Sequence, residues 1–415
     1  MKSFGATHST RSFWLATSPL WAYALCFFSV FVCYQLKWST IYPQLSPAVV
    51  VFVFLTLIAS LIIVGSERLI WRTPVALPDS WWTGSRAKWA TILIYAATLA
   101  EWVHAGGIPL ELVLSGADYD YSSFGIPTFH VVVFGVYWFL SIHWFSLWLR
   151  GYGRNFAFYS LTLLAIDVLT VNRGALLQAL IAFAILYVAR TGAGLKALLK
   201  IAGIFAGVVL LFGYIGDARM SASGFDPETT ILVVGSASDD YNADALGTGP
   251  FWIYLYASSP LGNWQLNVSE ATTVHADAWT FIRLEMLPDF IAKRLTDPSV
   301  FETSPALVSS ALNVTSAYGR AFYLMGWSGC VTVFLYLLAY YLLTRVMFGR
   351  TEYFDSAIAT MAAGASLMTF SNTLVFSGFV APMIVAIVFR AICRIRRRTP
   401  CKTNEVGAAS LGQLE

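Results

Sequence analysis

The sequence predicts an all-α polytopic membrane protein: about ten transmembrane helices and one large outer loop carrying short interfacial helices. Three observations carry that prediction. Hydrophobic residues make up 57% of the 415 residues and charged residues only 12%, whereas soluble domains carry about 25% charged residues. The mean hydropathy is +0.65. The apolar residues also fall in long runs separated by short charged stretches, and a helix of ~20 residues spans a hydrocarbon core of ~30 Å. A transmembrane barrel would instead show alternating segments of roughly 10 residues, and none occurs.

Taken in order, the first seven runs predict helices over Pro19 to Leu36, Pro47 to Gly65, Trp89 to His104, Thr128 to Leu149, Asn155 to Val171, Ala175 to Ala189 and Ile201 to Gly216. Three more follow over Ala321 to Thr344, Asp355 to Phe376 and Ser377 to Ile392. Ser377 and Gly378 make the connection between the last two very short, and Pro382 should kink its helix. The chain therefore divides into helices one to seven (1–216), a loop module (217–320), helices eight to ten (321–392) and a basic tail (393–415).

Placing both termini in the cytoplasm puts most of the 26 Lys and Arg residues on that side, as the positive-inside rule requires. The tail from Arg390 to Lys402 reads as a stop-transfer anchor against anionic lipid. No small-residue cleavage motif follows the first apolar run, so helix one is expected to be retained. Cys26, Cys33 and Cys330 fall within helices and Cys393 and Cys401 in the tail, so no disulfide framework is expected. The net charge of +3 is small and its basic residues are topology signals, which excludes nucleic acid as a partner.

The segment from Asp217 to Arg320 is too long to be structureless. Its patches FWIYLYA at Phe251 to Ala257 and AWTFIRLEMLPDFIAKRL at Ala278 to Leu295 suit interfacial or re-entrant helices. Gly247, Gly249, Pro250, Pro260 and Pro288 break the module into short elements. Asp240, Asn242 and Asp244 have the opening spacing of a calcium loop, but Ala245 and Phe251 stand where its glycine and glutamate belong. No metal site and no cofactor are expected. Asn267 and Asn313 head N-x-S/T triplets, a signal too short to carry weight.

Ionisable residues inside spans cost ~2.5–3.5 kcal/mol each and persist in polar interiors; Glu101 and Asp167 are the candidates. On the outer face stand Arg173, Arg219, Arg283 and Arg320, whose guanidinium forks suit a phosphate. His275 is the loop's only histidine and a candidate proton acceptor. Trp252, Tyr254, Tyr256, Trp264 and Trp279 suit either membrane-interface rings or sugar stacking.

In order along the chain, AEWVHAGGIPL (Ala100 to Leu110), FGIPTFH (Phe124 to His130), NRGALL (Asn172 to Leu177), GYIGDAR (Gly213 to Arg219), YLYASSPLGN (Tyr254 to Asn263), LPDF (Leu287 to Phe290) and NVTSAYGRAFYLMGWSG (Asn313 to Gly329) resemble the bacterial O-antigen polymerases of the oligosaccharide repeat-unit polymerase group. That family often has an aspartate just before the first glycine of the final G-x-x-G. Here Leu324 and Met325 precede Gly326, so an acidic role is not carried over.

The resemblance implies an inner-membrane glycosyltransferase with its loop module and active site in the periplasm. It would move a growing glycan from undecaprenyl pyrophosphate to a lipid-linked repeat unit, among membrane lipids and with a chain-length regulator as partner. Glu101 or His275 would then be the catalytic base, Arg173, Arg219, Arg283 and Arg320 the pyrophosphate ligands, and Trp252, Tyr256, Trp264 and Trp279 the sugar contacts. An O-antigen ligase and a lipid-linked oligosaccharide flippase or transporter are the alternatives.

Overall fold

The computed structural model describes residues 17–70, 80–115, 124–192, 194–197, 199–203, 207, 226–271, 273–296 and 305–398. All regular structure in them is helical apart from one isolated bridge, Ser39 to Ala237. Among the described residues, five helices are long and apolar enough to cross a membrane. The protein is therefore an all-α membrane protein.

The N-terminal helices are α1 (Pro19–Tyr34), α2 (Pro47–Ile70), α3 (Gly84–His104), the short α4 (Pro109–Leu114), α5 (Phe129–Leu149), α6 (Arg154–Leu169) and α7 (Arg173–Thr191). Most of the expected seventh span, Ile201 to Gly216, lies outside the described residues. Then come α8 (Pro227–Val234), α9 (Ala243–Leu246), α10 (Gly249–Ser269), α11 (Ala278–Glu285) and α12 (Asp289–Leu295). The chain closes with α13 (Ala317–Phe348), α14 (Phe354–Leu367) and α15 (Ser377–Arg398).

The centre of the bundle is α14, which packs against α1, α5, α7, α13 and α15. Its sequence, FDSAIATMAAGASL, is buried from Phe354 to Ser366. Small side chains let neighbouring backbones approach closely where water supplies no hydrophobic drive between helices. At Gly364 an added Cβ would stand 2.6 Å from the Phe379 ring of α15. The ninth helix was expected to reach Phe376, but it stops at Leu367. Residues 368–376 form a connection with a 3-10 turn at Thr373–Val375, pinned by Met368 O accepting from Ala317 N at 2.9 Å.

The loop module departs from expectation at α10. Instead of a short patch ended by Pro260, a 21-residue helix runs through that proline and packs on α1 and α13. A proline inside a helix costs ~3 kcal/mol; burial of Ser258 to Gln265 offsets it. Asn263 and Asn267, one turn apart and both fully buried, clamp the extended stretch after residue 305. Asn263 Nδ2 donates to Leu312 O at 2.6 Å and Val314 O at 2.8 Å, and Asn267 Nδ2 donates to Ala306 O at 2.8 Å. Asn267 is thus a structural clamp, closed to any glycan.

A break divides α13 at Gly326, whose φ of 61° and ψ of −146° are non-helical and suit only glycine. The first segment folds back on the second, so that a Cβ on Gly329 would fall 2.2 Å from Ala321 O. The carbonyls freed by the break are taken up by the strap before α11: Val274 N donates to Tyr323 O and Ala276 N to Leu324 O, both at 2.9 Å.

Candidate functional site

One end of the bundle gathers the C-termini of α3 and α6, the N-termini of α5, α7, α13 and α15, and the α11–α12 pair. The opposite end carries the basic residues Arg86, Arg150, Arg154, Arg190, Arg345 and Arg350. The first end holds the expected site residues that lie within the described chain and outside α10.

Glu101 ends α3 only 2% exposed, and its Oε1 lies 3.1 Å from His130 Nδ1. His130, 30% exposed, begins the face His130–Phe134–Tyr137 of α5. Gly125 is obligatory beside it, since an added Cβ would lie 2.8 Å from the His130 side chain and the backbone φ is +89°. Further down that face Tyr137 OH donates to Asp167 Oδ1 at 2.6 Å, while Asp167 Oδ2 is buried with no hydrogen-bond partner among the described residues. A histidine oriented by a buried carboxylate is the arrangement of a general base.

On the other side of the α15 N-terminus is a small open cleft of about 60 Å³, lined by Glu285, Ser316, Arg320, Asn372 and Phe376 among others. Glu285 is buried and faces Arg320 Nε at 3.4 Å. Its Oε2 accepts from Asn372 Nδ2 at 2.9 Å, and its main-chain O accepts from the same nitrogen at 2.8 Å. Burial pushes the Glu285 carboxyl above the usual carboxylate range, and Arg320 opposes that rise. The two halves are tied together through α12 and α15. Arg294 donates to Thr128 Oγ1 at 3.1 Å, just before α5, and Ser377 donates to Asp289. Gly378 packs beside Phe134.

The remaining expected residues divide. Arg283 is tied to its own module: its terminal nitrogens donate to Leu295 O at 3.2 Å and Thr280 Oγ1 at 3.0 Å, and its guanidinium lies 5.8 Å from the Trp279 ring centre. Arg173 is exposed at the start of α7, away from the cleft lining. Arg219 lies outside the described residues. His275 is exposed, bonded to Thr273 Oγ1 at 3.0 Å, and held at φ 46°, a strained value for a residue with a Cβ.

Among the aromatics, Trp264 has no exposed face: it is 0% exposed and packs on Phe52, Tyr318 and Trp327. It is a core residue, and sugar stacking does not fit it. Trp252 and Tyr256 stack on each other with centroids 5.8 Å apart; Tyr256 and Trp279 are half exposed. Asn242 caps α9, accepting from Ala245 N at 3.1 Å, which explains the calcium-like spacing. No group of three metal-ligating side chains occurs among the described residues.

Sequence reading missed His130, Glu285 and Asn372. His130 stood within the FGIPTFH stretch, beside a glycine and a proline at a helix start, and that was its only signal. Glu285 looked like one more charge in an acidic loop. Comparison of the chain with known protein families, with curated proteins and with solved structures returns no match.

Proposed function

We propose that this protein is a membrane glycosyltransferase of the O-antigen polymerase kind, acting at the periplasmic face of the inner membrane, with ten spans and both termini cytoplasmic. The observation that carries the reading is the pairing around the α15 N-terminus: His130 backed by Glu101 on one side, Arg320 in an open cleft on the other. These are the two functions the reaction needs. The acceptor hydroxyl loses its proton to His130 as its oxygen bonds the anomeric carbon of the donor. The bond from that carbon to the pyrophosphate breaks, and the departing lipid pyrophosphate takes up the electron pair beside Arg320. Glu101 keeps the imidazole oriented and stabilises the imidazolium that forms. Guanidinium placed in advance where charge develops lowers the barrier without reorganisation. Lipid-linked glycan and membrane lipid are the partners, with a chain-length regulator.

The test is purified protein supplied with a lipid-linked single repeat. Dimers and longer products are expected, and His130→Ala should lower their rate by roughly 10²–10⁴-fold. Unextended substrate after prolonged incubation defeats the reading. In cells, deletion should leave lipopolysaccharide capped by one repeat; loss of all attached repeats would instead indicate a ligase.

A further inference from the structure

We propose that the α11–α12 hairpin is a docking surface for negatively charged phospholipid headgroups, with Arg283, Lys293 and Arg294 meeting the phosphates and Trp279, Ile291 and Leu295 entering the layer beneath them. The sequence predicts interfacial helices in this stretch; the fold adds which side chains meet the lipid and which lipid they select. The inference stands apart from the glycosyltransferase reading.

Charge sorting carries the argument. Three of the five Lys and Arg residues between Asp217 and Arg320 gather in this hairpin, although the same stretch holds twelve Asp and Glu. Within the hairpin the fold separates the two signs. Glu285 is buried, bonded to Asn372 and facing Arg320. Asp289 accepts from Ser377 and from Phe290 N. Lys293 and Arg294 are exposed. The Arg283 guanidinium lies beside the exposed Trp279 ring, and its donation to Leu295 O at 3.2 Å brings the exposed Leu295 to the same patch. At the edge, the exposed carboxylate of Asp277 caps α11, accepting from Thr280 N at 3.0 Å. The outward surface is therefore cationic in a module that is acidic overall, and it complements an anionic partner.

Position decides which anion. Arg294 donates to Thr128 just before α5, and Asp289 accepts from Ser377 at the start of α15. Both helices are long and apolar enough to cross a membrane, so the hairpin is held at the boundary of the hydrocarbon core. Tryptophan and the charged tips of long cationic side chains settle at that level. Exposed Trp279, Ile291 and Leu295 fit the headgroup and acyl boundary, and a soluble anion would have no use for them. Each Lys or Arg near an anionic membrane surface is worth about a fivefold change in partitioning.

The test is amide hydrogen exchange of the full-length protein in nanodiscs, read by mass spectrometry over residues 278–295, with residues 243–257 as internal reference. Discs of phosphatidylcholine alone are compared with discs in which phosphatidylglycerol replaces part of it. Exchange over 278–295, relative to the reference, should slow by about threefold or more in the anionic discs. At ~1 M salt, where the Debye length is ~3 Å, the difference should vanish. Lys293→Glu should remove most of it, whereas Lys293→Arg should keep it. Equal exchange in the two lipids overturns the proposal, and so does a difference that survives high salt, since the contact would then be apolar alone. Slowing caused by glycerol phosphate added to neutral discs would assign the cations to a soluble anion and overturn the membrane assignment. The lipid and salt comparisons use the unaltered protein, so they decide the matter even if Lys293→Glu fails to fold.

Discussion

Two buried glutamate–arginine pairs sit at opposite ends of this bundle and differ in one respect. At the basic end, Glu67 Oε2 meets Arg345 at 3.0 Å. Its Oε1 accepts from Ser18 Oγ at 3.2 Å and from Tyr341 OH, and Arg345 Nε donates to Tyr341 OH at 3.0 Å. Arg345 is 3% exposed and packs on the Tyr341 and Phe354 rings. At the other end, Glu285 meets Arg320 at a looser 3.4 Å, with the arginine one-third exposed and the buried Asn372 amide oxygen without a hydrogen-bond partner among the described residues. The comparison teaches that a buried carboxylate does not by itself mark a site. The closed pair holds helices together, while the open pair leaves its guanidinium partly exposed beside a cleft.

The contrast can be broken by mutation, beginning where the effect is largest. Arg345→Ala leaves Glu67 buried without its cation and should destabilise the protein by ~3–5 kcal/mol, seen as a lower midpoint of thermal unfolding in detergent. A midpoint equal to the parent's would show the closed pair to be no bolt. Arg320→Ala should lower that midpoint less, because Arg320 is one-third exposed and burial lets Glu285 take up a proton in place of its cation, and should lower polymer synthesis by roughly 10²–10³-fold, the loss typical of one charge-stabilising donor. A large fall in stability with normal turnover of the surviving protein would reverse the assignment.

A smaller effect sharpens the electrostatics. Burial raises the Glu285 pKa, so folding favours its protonated form. Its contribution to stability is fully present below the ordinary glutamate value of ~4.3 and is lost as pH rises through the raised folded value. Glu285→Gln should therefore flatten the decline of thermal stability over that window, and an unchanged pH profile would count against the burial argument.

Much of the fold is legible in the sequence because each segment answers to its own hydropathy. The expected helix over Thr128 to Leu149 is Phe129–Leu149 in the structure, and that over Asn155 to Val171 is Arg154–Leu169. The reading failed where packing overrode local signals. Pro260 looked like an end of structure, but burial carries α10 through it. Asp355 to Phe376 looked like one helix, but the connection bonded to Ala317 and Glu285 ends it at Leu367. Trp264 looked like an interface ring because its type alone does not reveal which face of α10 is covered. The site was half legible: Glu101 and Arg320 are conspicuous charges, whereas His130 and Asn372 gain significance only from their partners.

The chain by itself determined the solvent, the helical class and the sorting of basic residues, since lipid obliges every buried backbone group to find a partner within its own helix. Only the folded molecule decided which polar side chains meet. Glu285 and Asn372 stand 87 positions apart and Glu101 and His130 29 apart. Which of them come within hydrogen-bonding reach depends on how separate helices pack, which no local stretch of sequence encodes.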